Sequence, residues 1–393
     1  MRVCAVSSKV CWQNGDGLWM ADGGFPIQMA GIASLFDEMD LLIVGAAPRT
    51  GGLLIPAKAA VFPLKQPYGA DARRKLSVVA RLPYYLLKIV RHIATADVVH
   101  VPLPGDIPAL GFFMGWILRK RMIVRYCGSW ADTTQTTWMN RVLKNGMKLL
   151  AGGRRVMLVT GQGAEPPAPG LHWIFATALS KPELESIRVD LDRDRSTPPR
   201  LVYLGRLSKE KGIEVLVQAL ANLREQGFAP LPKLTLAGDG AHRANLEAAV
   251  GERGCEDLVH FAGQLTRPEM SALLLDSDLC VQPSLTEGFS KAWLDAMAHG
   301  VPVLASNVGA AAAVIGGDGI RGWLTAPGDS ERLTRKLESI FEGPVNWPAL
   351  RYRCRAFAQC RSIETWAERI AEICAAQWGM ATNDGKLCFA QVK

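Results

Sequence analysis

No apolar stretch in this chain is long enough to cross a bilayer. The richest, Ile107 to Leu118 (IPALGFFMGWIL), is short, and Gly300 to Gly317 is interrupted by Pro302, Asn307 and several glycines, against the roughly 20 residues a spanning helix needs. Insertion is therefore not expected, while contact with a membrane surface stays open. The opening MRVCAVSSKVCWQNGDG has no apolar run to serve as a signal-peptide core. The nine cysteines are odd in number and dispersed, and contain no C-x-x-C pair, so neither a disulfide framework nor a zinc cluster is expected. A reducing compartment fits them, and the expected location is cytoplasmic, with a peripheral position on the inner face of a membrane as an extension. Also missing is the G-x-G-x-x-G fingerprint: LAGDGAHR at 236–243 supplies only G-x-G, which gives no support to a nicotinamide cofactor.

What is present is a chain of 393 residues, 49 % hydrophobic and 21 % charged, the balance of a folded protein and too long for one core. Two domains are expected. Residues 1–195 carry 24 basic against 15 acidic side chains, and the remainder 21 against 22, so the net charge of +8 belongs to the N-terminal half. That asymmetry points to an anionic surface or substrate there, or to a solvated basic face. No nucleic-acid partner is implied.

Short apolar runs alternate with helical stretches: LLIVGA at 41–46, VVHVPL at 98–103, MIVRY at 122–126 and VMLVTG at 156–161. The alternation resumes with RLVYLGRL at 200–207, KLTLAGDG at 233–240, LVHFAG at 258–263, LCVQPS at 279–284 and PVLASN at 302–307. This is the pattern of parallel sheets covered by helices on both faces, an α/β fold of two Rossmann-like domains. Between the halves, DLDRDRSTPPR at 190–200 disfavours both helix and strand. The expected organisation is an N-terminal domain over 1–190, a linker over 191–200, a C-terminal domain over 201–345, helices over 346–380 that pack back toward the N-domain, and a tail over 381–393. Arg351 to Trp378 reads as helix, with Phe357, Ile363, Trp366, Ile370 and Ile373 recurring on it.

The segment SLTEGFSKAWLDAMAHGVPVLASN, Ser284 to Asn307, is the most informative. Read as strand end, tight loop, helix, turn and strand, it sets Glu287 at the start of the helix and Asp295 two turns later, ~12 Å along the axis and only ~80° apart in phase. Both carboxylates can then face one groove, with the N–H groups of Gly288, Phe289 and Ser290 directed at an anion between them. A nucleoside diphosphate sugar, with hydroxyls at both ends and negative charge in the middle, has that layout. The plainer alternative is a dipole-complementing Glu287 and a solvated Asp295. GRLSKEKG adds Arg206 and Lys211 at the end of a strand, placed for a diphosphate, and Gly23 with Gly24 in DGGF permits close approach of a backbone to ligand.

Taken in order, GRLSKEKG, LAGDG, VHFAGQLTRPEM and DLCVQPSLTEGFSKAWLDAMAHGVPVLAS resemble the donor domain of retaining glycosyltransferases of the GT-B fold, the family 4 type of glycosyl transferases group 1. The resemblance covers about Leu201 to Phe341 and is looser before that, where it rests on the Gly23–Gly24 loop. It implies two Rossmann-like domains facing each other across a cleft. It also implies sugar transfer from a nucleoside diphosphate sugar, with retention of configuration, to a glycan or lipid-linked acceptor.

Carried over residue by residue, the resemblance gives Arg206 and Lys211 to the diphosphate, Glu287 to the donor sugar and Asp295 to the ribose, with Glu287, Arg206 and Lys211 as the catalytic set. Gly263, Gln264 and Leu265 would meet the base, Gly288, Phe289 and Ser290 would complete the donor pocket, and Gly23 and Gly24 would form the acceptor-side loop. No metal and no cofactor is implied beyond the donor substrate. The chain departs from the family in having Asp295 where a glutamate is usual, Tyr126-Cys127-Gly128-Ser129 where a histidine is common, and no glutamate near Ala313. A catalytically inactive relative that binds a nucleotide or glycan is the alternative reading, and a same-fold epimerase or phosphorylase a third.

Overall fold

A computed structural model describes residues 1–49, 51–69, 71–132 and 136–388, with the side chains of all of these except 71 and 72. The chain divides into two compact units, Met1–Ala178 together with Ile363–Lys393, and Leu179–Ser362.

In the first unit the strands are β1 (Arg2–Gln13), β2 (Trp19–Ala21), β3 (Glu38–Gly45), β4 (Leu53–Leu54), β5 (Ala59–Leu64), β6 (Val98–Leu103), β7 (Arg121–Tyr126), β8 (Arg155–Thr160) and β9 (Leu171–Ile174). They form one sheet in the order β4-β2-β1-β6-β7-β8-β9, with β3 on β1 and β5 on β3. All pairings are parallel except those of β2 with β1 and β4. Its helices are α1 (Phe25–Ser34), α2 (Asp71–Ala80), α3 (Leu82–Thr95), α4 (Asp106–Ile117) and α5 (Trp138–Leu150).

The second unit holds α6 (Lys181–Ser186), β10 (Arg200–Leu204), α7 (Ile213–Glu225), β11 (Lys233–Ala237), α8 (Arg243–Glu252), β12 (Val259–Gly263) and α9 (Arg267–Asp276). It continues with β13 (Leu279–Gln282), α10 (Lys291–Ala298), β14 (Val303–Ser306), α11 (Ala311–Ile315), β15 (Gly322–Thr325), α12 (Ser330–Glu342) and α13 (Trp347–Gln359). Its sheet runs β12-β11-β10-β13-β14-β15, parallel throughout. The chain then returns to the first unit as α14 (Ile363–Trp378) and the antiparallel pair β16 (Ala381–Asn383) and β17 (Lys386–Cys388).

Three features differ from the sequence expectations. The segment 191–200 is no free linker: Asp278, fully buried, accepts from the Ser196 and Arg200 amides at 3.1 and 2.9 Å and pairs with Arg193 and Arg351. A carboxylate taken out of water needs that many donors, and meeting the need ties the segment to the second unit. The helix expected over 351–378 is broken at Cys360–Ser362, so α13 puts Trp347 and Leu350 into the second core while α14 puts Ile363, Trp366, Ile370 and Cys374 into the first. There α14 lies against α1 closely enough that a Cβ on Gly31 would sit 3.1 Å from Ile363 and 3.2 Å from Trp366.

The stretch DARRKLSVVARLPYYLLKIVRHIA at 71–94, whose basic and apolar residues read in the sequence as one helix kinked at Pro83, is two helices that part at Arg81. Pro83 sits in the first turn of α3, where its missing N–H costs nothing. Within the expected tail, 381–388 form the small antiparallel pair, while 389–393 lie outside the described residues, as does the side chain of Asp71.

The first core also contains a titratable group. His100 on β6 is fully buried, with Nδ1 3.1 Å from the Ile123 carbonyl, and burial followed by the charge of Arg125 pushes its pKa down to about 3. An unfolded histidine binds a proton below about pH 6.5 and this one does not, so stability falls as pH drops from about 6.5 toward 3. His100→Gln is expected to flatten that acid limb in urea titrations across the range, and an unchanged slope would exclude His100 as its source.

Candidate functional site

In a doubly wound sheet, loops at the carboxyl ends of two neighbouring strands part company where the strand order reverses, and a crevice opens there. In the second unit this point lies between β10, which continues to β11 on one side, and β13 on the other. Lys211 follows β10 and Glu287 follows β13. Their side chains meet over the reversal, Lys211 Nζ 2.5 Å from Glu287 Oε2, both largely shielded from solvent at 20 % and 17 % exposure.

Two glycines make the meeting possible. Gly212, at φ +62°, lets the β10 loop turn into α7 so close to the β13 loop that a Cβ there would lie 2.3 Å from the Pro283 carbonyl oxygen. The same loops are joined by the Leu285 amide donating to the Glu210 carbonyl at 2.9 Å. Gly309, at φ +56°, brings the loop after β14 onto Glu287, where a Cβ would be 2.1 Å from the Glu287 carbonyl oxygen, and Ala310 N–H donates to the Gly288 carbonyl at 2.9 Å.

Arg206 is exposed at the end of β10. The Tyr203 hydroxyl donates to its carbonyl at 3.0 Å. Burial raises the Tyr203 pKa, the Glu287 carboxylate raises it further and the Arg206 cation opposes, so both charges act on one buried phenol.

Glu287 does not start the helix. α10 begins at Lys291 with Ser290 as its N-cap, and Glu287 lies in the preceding loop. The helical phase expected to relate Glu287 to Asp295 therefore does not apply. Of the three N–H groups expected to face an anion, that of Gly288 donates to Glu287 Oε1 at 3.2 Å, and the Phe289 ring is buried against Trp293 at 5.8 Å between centroids. Ser290 is buried as well.

Asp295, 14 % exposed, is held instead by Arg267 at 3.2 Å, and Arg267 also pairs with Glu183 at 3.1 Å. Burial lifts the Glu183 pKa against the pull of Arg267. His299 completes the cluster, with Nδ1 2.7 Å from the Asp295 carbonyl and Nε2 2.8 Å from the Ser271 hydroxyl.

Arg267 opens α9 just beyond Gly263, Gln264 and Leu265, and the carbonyl of Gly263 accepts from the Gly238 amide at 2.7 Å. The structure thus joins Lys211 with Glu287 directly, sets Arg206 beside the same tyrosine as Glu287, and ties Asp295 to the element that follows Gly263–Leu265. Gly23 and Gly24 lie in the first unit, between β2 and α1, with Gly24 as the α1 N-cap. Sequence reasoning missed Arg267 and Glu183. The local signal for Arg267 is Thr266-Arg267-Pro268-Glu269, whose Thr266 and Glu269 form a reciprocal cap. Nothing local marks Glu183.

Comparison with known proteins bears on this unit directly. Residues 191–361 match the family of glycosyl transferases group 1. The group 1 segment holds every site residue named above except Gly23, Gly24 and Glu183.

Among curated relatives, the chain is 32 % identical over 165 residues to 2-deoxystreptamine glucosyltransferase of Streptomyces kanamyceticus, covering 42 % of this chain and 41 % of that protein. It is 35 % identical over 168 residues to glycogen synthase of Mycobacterium tuberculosis, covering 42 % and 39 %. The chain thus spans about two fifths of the length of these relatives. Solved structures extend the likeness of fold beyond the group 1 segment. HepE of Anabaena in complex with UDP aligns with TM-score 0.68 at 19 % identity over 96 % of this chain and 100 % of that one. Sucrose-phosphate synthase of Thermosynechococcus elongatus aligns with TM-score 0.70 at 20 % identity over 95 % and 98 %. The fold is the GT-B fold of two Rossmann-like domains.

Proposed function

We propose that the chain is a retaining, metal-independent glycosyltransferase that moves a sugar from a nucleoside diphosphate sugar to a glycan or lipid-linked acceptor. The observation that carries this reading is the Lys211–Glu287 pair at the strand-order reversal, a cation and a carboxylate 2.5 Å apart in a group 1 segment. Lys211 and Arg206 neutralise the diphosphate as it departs, a point charge and a planar fork supplying what a metal supplies elsewhere. Glu287 accepts from donor-sugar hydroxyls, and Asp295, steadied by Arg267, accepts from the ribose. Gly263–Leu265 line the base, and Gly23 and Gly24 serve the acceptor. In the transfer the bond from the anomeric carbon to the diphosphate oxygen breaks and the acceptor oxygen bonds to the same face. The acceptor proton passes to the departing phosphate, which leaves as a nucleoside diphosphate.

A panel of nucleotide sugars tested for protection against unfolding examines the reading, since a donor at 100 times its dissociation constant adds about 2.7 kcal/mol. Protection by none of them, with no transfer, would overturn it. Turnover is expected to survive a chelator, and strict metal dependence would remove the cationic role of Arg206 and Lys211.

Asp295→Glu is expected to keep donor affinity, because the longer acid still reaches Arg267. Asp295→Leu should weaken donor binding through the loss of one or two charge-assisted hydrogen bonds, ~1.5 to 3 kcal/mol each. Calorimetric titration with the donor checks this; equal affinity in all three forms would take Asp295 out of the ribose site.

A further inference from the structure

α4 is apolar nearly all round. One face, with Ile107, Phe112 and Gly115, is buried in the first core, and a helix of this composition is normally enclosed on the other face too. Here the other face is half-buried at Leu110 and Phe113 and opens to solvent at Trp116 and Ile117, the last two 43 % and 56 % exposed. Its N-terminal part floors a groove of about 520 Å³ walled by Val78, Val79 and Leu82 on one side and Trp138 and Met139 on the other, with Lys75 at the rim. At its C-terminal end, Trp116 and Ile117 border a second pocket of about 670 Å³ whose other lining side chains are Arg119, Lys120, Arg154 and Arg155, with no acid among them. Leu87 on α3 and Leu149 on α5 are exposed as well, at 72 % and 84 %.

The charge around this face is predominantly positive, although Asp106 lines the groove. Residues 71–155 hold 15 basic and 4 acidic side chains and no glutamate. Three of the acids are engaged: Asp106 by Arg74 at 3.3 Å, Asp132 by Lys144 at 3.0 Å, and Asp97 by the Arg2 amide at 2.7 Å. A dissolved anion would satisfy the cations and leave the apolar stripe wet. A neutral apolar partner would do the reverse.

We propose that this face of the first unit seats on an anionic lipid bilayer, with the α4 groove taking one acyl chain and the basic pocket beside Trp116 taking phosphate headgroups. Exposed apolar side chains enter the boundary region while long basic side chains reach headgroup phosphates, the physical combination that holds interfacial helices. The proposal deepens the functional reading by giving the acceptor side a lipid surface, but it rests on no donor chemistry.

The test uses the full chain with phosphatidylglycerol-containing and pure phosphatidylcholine vesicles at low and high salt, and with lipids brominated along the acyl chain. Binding is expected to the anionic vesicles only and to weaken with salt. Bromine should quench tryptophan emission, and the combined Trp116→Phe and Trp138→Phe variant should still bind while losing most of the quenching. Lys75→Gln at the groove and Arg119→Gln at the basic pocket, both at exposed positions, should each lower partitioning about fivefold.

Absence of vesicle binding overturns the proposal, including the case in which the face captures a protein or inorganic phosphate instead. Vesicle binding without quenching overturns it too, by reducing the contact to charge alone. Protection by the panel of nucleotide sugars, measured on the same samples, reports on the second unit and separates failure here from failure of the transferase reading.

Discussion

Lys211→Ala is expected to lower turnover by about 10² to 10³ at saturating donor while leaving the fold intact. One preorganised charge contact at a transition state is worth that much, and Lys211 is placed to meet charge developing on the departing diphosphate. Glu287→Ala should cause a similar loss by freeing the donor sugar. In each variant the remaining partner is left in a site about one-fifth exposed, so a modest fall in stability accompanies the kinetic loss. Steady-state kinetics combined with urea unfolding separates the two effects. Near-full turnover in either variant would withdraw that residue from the catalytic set, and a loss of rate that tracked unfolding would make its role structural.

The second large effect is expected from a residue with no functional group. Gly212→Ala places a methyl 2.3 Å from the Pro283 carbonyl oxygen at a backbone conformation of φ +62°. Left-handed strain and overpacking together should destabilise the protein by about 2 to 4 kcal/mol. Relief requires the β10 loop to lift from the β13 loop, which parts Lys211 from Glu287. Turnover should therefore fall by an amount comparable to that in Lys211→Ala even in the fraction that stays folded. Active-site titration alongside a denaturant midpoint checks this, and a variant with both stability and turnover near the parent would show that the loops tolerate separation.

The strand runs on both sides of the 190–200 break were legible because a strand buried in a parallel sheet has no polar face to obscure it, and each such run forms a strand. Lys211 and Glu287 were legible singly, as charges at strand ends. That they touch depends on which strands neighbour each other, a property of the sheet order that no local spacing contains. Glu287 reads as helical because Gly288-Phe289-Ser290 suits a first helical turn as well as a loop, whereas the extended backbone of Ser290, φ −86° and ψ 124°, starts the helix only at Lys291. Arg267 escaped for the opposite reason: it reads as an ordinary first-turn residue until Glu183, 84 positions earlier, is brought beside it.

The return of α14 to the first unit has a consequence for biogenesis. During synthesis, Met1–Ala178 leaves the ribosome first, yet the surface of α1 around Met29 and Ile32 stays open until Trp366, Ile370 and Cys374 have been made. The second unit is one unbroken stretch, so its chain is complete while its predecessor still waits for a closing helix. Vectorial folding therefore runs out of numerical order here, with the later-made unit the first able to finish. Throughout that interval the nascent chain presents an unfinished apolar surface, which is where a holding chaperone would bind.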